Sequence, residues 1–159
     1  MNPSGKLPFS YPRYPNSLLK YDYKISEASG GNEYNAQFPF GHGLSYTTFE
    51  YSDLQLNSSV ITGGDLLEAE VTITNTGDYT GKETVLLYLR DVVASVTPPN
   101  RVLKRFTKVD LEPGESTTVS FQLTQEDLEF IGRDNQPTLE DGEFAVMIGD
   151  LENSFNLEQ

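Results

Sequence analysis

The sequence predicts an all-β protein: an antiparallel β-sandwich of about seven short strands, preceded by an extended, irregular N-terminal segment. Three observations support this prediction. Apolar and polar residues alternate in several short stretches after Tyr46, and turn-forming sequences separate those stretches. Proline and glycine interrupt residues 1–45, where little periodicity is found. The length of 159 residues fits one domain with its own core.

One strand is predicted from Leu67 to Thr74. Leu, Ala, Val and Ile occupy its alternate positions, with Glu or Thr between them. This period of two is typical of a strand with one buried face. The same alternation recurs in "STTVSFQL" and "GEFAVMIGD". It predicts six further core residues: Val119, Phe121, Leu123, Phe144, Val146 and Ile148.

The strand "ETVLLYLRD" (83–91) is apolar on both faces. Val85 and Leu87 point to one side, whereas Leu86 and Tyr88 point to the other. A strand of this kind is typically central in its sheet and covered on both sides.

The stretch "TTFEYSDLQL" contains a conflict of phase. Phe49 and Tyr51 occupy odd-numbered positions and would point to one face of a regular strand, whereas Leu54 and Leu56 occupy even-numbered positions and would point to the other. A regular strand would therefore expose one of these pairs to solvent. One extra residue near Ser52-Asp53 would turn both pairs inward, so we predict a β-bulge there.

Turn signals lie between the strands. The sequences "NTGD", "EPGE" and "EDG" combine Gly or Pro with Asn, Asp or Glu, and such combinations favour tight turns. Only "TQEDLEF" favours a helix, with Thr124 as a possible N-cap and Asp127 three residues later. Its length permits one or two turns.

The charge and composition exclude several functions. With 24 acidic and 11 basic side chains the formal charge is −13, which argues against nucleic acid and anionic membrane surfaces as partners. Cysteine is absent, so disulfides and thiolate metal sites are excluded. The sequence contains no apolar run long enough to span a bilayer.

The acidic residues raise the question of a glycosidase, whose chemistry requires two carboxyl groups roughly 5 to 9 Å apart. Most acidic residues here lie in turns or at outward positions of strands, where a solvated surface explains them. We therefore predict no catalytic residue in this chain. His42 is the single histidine, which excludes a multi-histidine metal site, and no cofactor is expected.

Three blocks occur in a definite order along the chain. "NPSGKLPFSYP" (2–12) comes first and "FPFGHGLSYTTFEYSDL" (38–54) second. The third begins at "NTGDYTGKETVLLYLRD" and continues through "VDLEPGESTTVSFQLTQEDLEF" to "GEFAVMIG". Together they resemble the C-terminal region of glycoside hydrolase family 3, the β-glucosidase and β-xylosidase family. The insert "KISEASGG" (24–31) has no firm counterpart there, and Arg105 stands where glycine is common.

The resemblance implies a fibronectin type III-like (immunoglobulin-like) β-sandwich in residues 38–159, whose first part, 38–46, is a joint. Residues 1–37 would be the remnant of a preceding α/β sandwich domain. The "GKLPFSYP" strand would then lack its sheet partners, so we expect residues 1–37 to be the least stable part of the chain.

The resemblance also implies where the chemistry lies. In this family the nucleophile and the acid/base residue belong to other domains, so no catalytic or substrate-binding residue is carried onto this chain. The implied partners are the catalytic barrel and the α/β sandwich domain of the parent chain. Carbohydrate would be bound only through that parent.

The joint is predicted to dock against its neighbours. Pro39 restricts the backbone of Phe38, and the glycines permit tight turns. We expect the apolar side chains at 38, 40 and 44 to bury area against the edge of the sandwich. The predicted docking residues are Phe38, Pro39, Phe40, Gly41, Gly43, Leu44 and Tyr46.

Two other functions remain open behind the structural one. The nine Tyr and nine Phe residues motivate a carbohydrate-binding module, which a row of exposed, coplanar tyrosines would favour. The absence of Trp and the inward positions of Phe49, Phe121 and Phe144 argue against it. An immunoglobulin-like adhesion module is the third possibility, and a large exposed apolar patch on a sheet would favour it.

Overall fold

The computed structural model describes residues 1–17, 19–20, 23–24 and 36–159. Within these residues the chain forms twelve strands and one short helix. The strands are β1 (Tyr11–Pro12), β2 (Ala36–Phe38), β3 (Phe49–Leu56), β4 (Val60–Thr62), β5 (Leu67–Asn75), β6 (Gly81–Asp91), β7 (Val102–Leu111), β8 (Ser116–Leu123), β9 (Phe130–Ile131), β10 (Pro137–Thr138), β11 (Gly142–Ile148) and β12 (Leu151–Glu158). The helix α1 (Gln125–Leu128) lies between β8 and β9. Across the described part of the chain, no helix is long and apolar enough to cross a membrane.

Two sheets form the sandwich. One has three strands in the order β3-β5-β8, and the other has five in the order β4-β12-β11-β6-β7. Neighbouring strands are antiparallel except β12 and β4, which are parallel. After β3 the chain crosses to the edge of the other sheet, where β4 pairs with β12. The predicted antiparallel β-sandwich is therefore confirmed, with one parallel pair added at an edge.

The core lies between the two sheets, where the alternating pattern places it. In β5 the side chains of Leu67, Ala69, Val71 and Ile73 are almost completely buried. The six residues predicted from β8 and β11 are buried with them and belong to the same cluster. The predicted inward face is confirmed in all three strands, and burial of this apolar area stabilises the fold.

The predicted bulge in β3 is present. Ser52 pairs with Thr72 and Gln55 pairs with Glu70, so β3 contains one more residue than β5 in this interval. Asp53 lies within it and has a φ of 54°. Because of the extra residue, side chains from both sides of the bulge pack against the core: Phe49, Tyr51, Leu54 and Leu56.

Two further predictions are confirmed. Strand β6 lies between β11 and β7, and it is covered on both faces, since Leu87 and Tyr88 are both buried. Helix α1 begins after Thr124, whose backbone N donates a 2.9 Å hydrogen bond to Oδ2 of Asp127. The helix thus has the capping interaction that its sequence predicts.

The expectation that the first strand lacks backbone partners is wrong. Strand β1 pairs with β2. Leu7 N donates to the carbonyl of His42 at 2.8 Å, and Gly41 N donates to the carbonyl of Leu7 at 2.9 Å. Later residues of the same chain supply these partners, whereas the family resemblance had indicated a separate sheet. Apart from Lys24, the insert 24–31 lies outside the described residues, and the boundary between 1–37 and 38–159 stays a prediction.

Candidate functional site

The inner side of the joint is fixed on the outer face of β6. The ring of Phe40 meets the ring of Tyr88 edge-on, with centroids 6.3 Å apart. Gly41 has a φ of 82°, and a Cβ there would lie 3.0 Å from Leu86 Cδ1 and 3.0 Å from the Tyr88 hydroxyl. Only glycine suits both this backbone conformation and this close approach. Phe40 and Gly41 therefore anchor the joint on β6.

The far end of the joint is held by a buried asparagine. Asn75 Oδ1 accepts hydrogen bonds from Thr47 Oγ1 at 2.7 Å and Gly77 N at 3.1 Å. Its Nδ2 donates to the carbonyls of Tyr79 at 2.8 Å and Leu111 at 3.0 Å. With its amide fully used, Asn75 ties the joint to the β5–β6 turn and to β7. The sequence placed Asn75 in a turn but did not indicate this role.

The outer side of the joint faces solvent. Leu44 is 74% exposed, Tyr46 is 72% exposed, and Pro39 and Gly43 are exposed as well. Phe38 is also exposed, and its ring stacks on His42 at 4.7 Å. The expectation that Leu44 and Phe38 bury area against the sandwich is wrong, because the joint contacts the sandwich through Phe40 and Gly41 instead. Docking of these side chains on another domain stays a prediction.

Aromatic rings extend this outer side. The centroids of Phe9 and Tyr11 are 6.5 Å apart, and those of Tyr11 and Phe38 are 6.1 Å apart. These two pairs are tilted by 39° and 55°. The rings therefore do not form the coplanar row that would favour a carbohydrate-binding module. The sequence did not indicate this cluster, since its members come from two separate stretches of the chain.

A second candidate site is a cavity of about 260 Å³ between α1, β6 and β7. Mostly apolar side chains line it, together with four charged ones: Asp91, Lys104, Asp127 and Glu129. Burial raises the pKa of Asp91 and lowers the pKa of Lys104. Burial also acts to raise the pKa of Asp127, but hydrogen bonds from Arg105 and Thr124, and the nearby positive charges, hold that pKa below its usual range.

Two carboxyl groups with opposite pKa shifts are typical of acid/base pairs in enzymes. Here the hydrogen bonding of Asp127 argues against that role. The Arg105 guanidinium donates to Oδ1 of Asp127 at 2.8 Å and to Oδ2 at 2.6 Å. Both oxygens are thus committed to a structural ion pair. Within the ranges that the structure describes, no group of three or more His, Asp or Glu side chains is placed to hold a metal ion.

The sandwich of a three-stranded and a five-stranded sheet is a fibronectin type III-like fold. The family model of that name matches residues 83–152, which extend from β6 into β12.

Comparison with whole proteins extends the similarity to nearly the entire chain. It is 43% identical over 154 residues to a putative β-xylosidase of Formosa agariphila, covering 94% of this chain and 20% of that protein. It is 42% identical over 160 residues to a lysosomal β-glucosidase of Dictyostelium discoideum, covering 94% of this chain and 19% of that protein.

A solved structure gives the same result. The β-glucosidase from Listeria innocua in complex with gluconolactone matches with a TM-score of 0.90 at 31% identity, covering 99% of this chain and 24% of that one. The chain therefore belongs to the β-glucosidase and β-xylosidase family, glycoside hydrolase family 3, and the resemblance drawn from the sequence is confirmed. It spans about a fifth of the length of the curated relatives it matches.

Proposed function

We propose that this chain is the non-catalytic, C-terminal accessory domain of a family 3 glycoside hydrolase that removes terminal β-glucosyl or β-xylosyl residues. Its role in that enzyme is to stabilise the catalytic barrel and the α/β sandwich domain by docking against them. The relatives carry the names β-glucosidase and β-xylosidase, and the chain matches about a fifth of each. The catalytic residues would lie in the rest of the parent.

The exposed apolar surface of the joint carries this proposal. Leu44 and Tyr46 leave most of their surface open to solvent, and Phe9, Tyr11 and Phe38 form a connected group of rings beside the joint. Contiguous apolar patches on a soluble domain mark interaction sites. Full burial of one such side chain contributes about 1.5 to 3 kcal/mol. A docked neighbour would bury these side chains while the inner side of the joint stays on β6.

The absence of catalysis in this chain is tested by direct assay. The purified chain is expected to leave aryl β-glucosides and aryl β-xylosides intact, because the carboxyl groups that stabilise the oxocarbenium-like transition state would lie in the rest of the parent. Three acidic residues line the 260 Å³ cavity, and Asp127 is committed to Arg105, which leaves Asp91 and Glu129 to be substituted. Turnover that is abolished by Asp91→Asn or by Glu129→Gln would show that the chain is catalytic.

The docking role is tested in the parent enzyme. The double variant Leu44→Ser/Tyr46→Ser is expected to lower the temperature at which β-glucosidase or β-xylosidase activity is lost, while kcat/KM at low temperature stays unchanged. Val93→Ser is the matched control, since Val93 is also largely exposed but follows the end of β6, away from the Leu86 and Tyr88 contacts of the joint. If the inactivation temperature fell equally in both variants, or fell in neither, docking through the joint would be contradicted.

A further inference from the structure

Residues 2–7, here called the strap, run over both the joint and the sandwich. Near the start of the strap, Asn2 Oδ1 accepts hydrogen bonds from Ser45 Oγ at 3.0 Å and from Tyr46 N at 2.9 Å. At its end, Leu7 makes the two backbone hydrogen bonds with the joint described above. The strap is therefore bonded to the joint at both ends.

Between these ends the strap is bonded to the sandwich itself. The carbonyl of Ser4 accepts hydrogen bonds from Thr84 Oγ1 and from Lys108 Nζ, each at 3.2 Å. Lys6 Nζ lies 2.6 Å from Oε1 of Glu83 in β6. The sandwich thus contacts the strap in two ways, at the neutral backbone carbonyl of Ser4 and at the charged side chain of Lys6.

Glu83 is the unusual member of this contact. Its side chain is only 9% exposed, whereas that of Lys6 is 26% exposed. The same oxygen, Oε1, also accepts a 2.7 Å hydrogen bond from the Tyr51 hydroxyl. A buried carboxylate is costly unless it is paired and hydrogen-bonded. Here one partner comes from the sandwich, and the positive charge comes from the strap.

We propose that the sandwich carries a built-in binding site for an extended, lysine-bearing segment, with Glu83 as its receptor, and that the strap is the segment that fills it. The domain then includes the strap, and the sandwich holds the chain that precedes β3 at two places, the strap and the joint. The inference concerns this chain by itself, so it can fail while the proposed function stands.

The electrostatics of the site support this role for Lys6. Burial raises the pKa of Tyr51, and the negative charge of Glu83 raises it further, so the phenol stays protonated and donates to the carboxylate. Loss of Lys6 would leave a buried charge with only this neutral donor. The neighbouring pair Lys82–Asp110 differs, since it is 3.5 Å apart and each side chain is 56% exposed. Exposed pairs of that kind contribute little.

A steric feature independent of charge points the same way. A Cβ at Gly43 would lie 2.5 Å from the carbonyl oxygen of Gly5, so the backbones of joint and strap touch there. The φ of Gly43 is not in the left-handed region, and alanine is otherwise compatible with it. Gly43→Ala should therefore displace the strap without altering any charge. A Cβ at Gly5 meets nothing within 4 Å, which makes Gly5→Ala the matched control.

The test is amide hydrogen exchange on the full 159-residue chain, read at Leu7 and Gly41, with Val71 of β5 as the internal reference. Lys6→Met and Gly43→Ala are each expected to speed exchange at Leu7 and Gly41 at least about tenfold relative to Val71, a change that corresponds to about 1.4 kcal/mol. The controls Lys82→Met and Gly5→Ala are expected to leave the exchange rates at Leu7 and Gly41 within about twofold of those in the wild type.

A double-mutant cycle adds a second readout, which compares the two single variants with their combination. Lys6→Met and Glu83→Gln together should speed exchange at Leu7 by no more than the larger single effect, because both remove the same interaction. If Glu83→Gln does not fold, the Lys6→Met and Gly43→Ala results still decide. Exchange at Leu7 as fast as in a free peptide, or unchanged in both of those variants, would overturn the proposal.

Discussion

Arg105 in β7 and Asp127 in α1 form a two-pronged ion pair, with N–O distances of 2.8 and 2.6 Å. Leu87 pairs with Arg105 but Tyr88 pairs with Leu103, so one extra residue bulges between them. Asp127 also accepts the hydrogen bond from Thr124 N. A single carboxylate therefore caps the helix and binds it to the sheet.

Asp127→Asn is expected to lower the free energy of unfolding by about 1 to 2 kcal/mol at pH 7, a modest loss because Arg105 is partly open to solvent. The pKa of Asp127 is lowered in the folded protein. Its contribution is therefore complete above the unfolded pKa of about 4 and is lost as the pH falls through the folded pKa. Denaturation as a function of pH should show the gap between wild type and variant closing in acid. Asp110→Asn, which removes the exposed ion pair with Lys82, should leave the free energy of unfolding nearly unchanged at every pH.

Asp91→Asn is expected to raise the free energy of unfolding at pH 7, whereas Asp127→Asn lowers it. Burial, the largest cause, and the charge of Glu140 raise the pKa of Asp91 despite the hydrogen bond from Val93 N. The ionised form is therefore a cost to the folded state at neutral pH, and this cost vanishes below the unfolded pKa of about 4. The variant should be more stable at pH 7 by less than about 1 kcal/mol, since the group is partly solvated. Denaturation at pH 7 and in acid measures this difference, and lower stability at pH 7 would contradict the assignment.

Phe121→Ala is expected to cost about 3 to 5 kcal/mol, the usual loss for a buried phenyl ring. Phe121 is 7% exposed and belongs to the core cluster between the sheets. Phe106→Ala provides the comparison, because Phe106 is 71% exposed and should cost less than about 0.5 kcal/mol. Chemical denaturation of the two variants measures the difference. A loss below about 1 kcal/mol for Phe121→Ala would mean that the inward face of β8 is wrongly assigned.

The sandwich could be predicted because each of its strands is encoded by a pattern of neighbouring residues. The alternation around Val71 and Phe121 follows from a period of two, and the burial of one face leaves only one register for each strand. The Lys6–Glu83 contact joins residues 77 positions apart, and local patterns do not specify such pairs. One signal was available in the sequence: Glu83 lies two residues before Val85 and therefore on the same face of the strand. This position predicts an inward carboxylate that requires a partner. The identity of that partner depends on the path of the strap over the sandwich.

The joint shows the limit of arguments from residue type. Leu44 is apolar, and its hydropathy favours burial, yet it is largely exposed. Its direction is set by the turn that Gly41 and Gly43 make against β6 and the strap. Backbone geometry of this kind depends on contacts with distant segments, so the sequence does not indicate which side of the joint each predicted docking residue occupies.

At the bulge, a substitution of Asp53 separates the effect of backbone conformation on stability from the effect of core packing. Asp53 has a φ of 54° and an exposed side chain, so a substitution there removes no core contact. Left-handed conformations cost most non-glycine residues about 1 to 2 kcal/mol, and β-branched residues adopt them least readily. Asp53→Val is therefore expected to lower the free energy of unfolding by about 1 to 2 kcal/mol, whereas Asp53→Gly should stay within about 1 kcal/mol of wild type.

The control for this prediction is Gln55→Val in the same strand. Gln55 is exposed and its φ is not positive, so valine there suits an ordinary strand position and should be close to neutral. Urea denaturation of the three variants measures the comparison. If Asp53→Val were as stable as Asp53→Gly, the bulge would not depend on the left-handed residue. The extra residue that turns Tyr51 and Leu54 toward the same core would then have to lie elsewhere in β3.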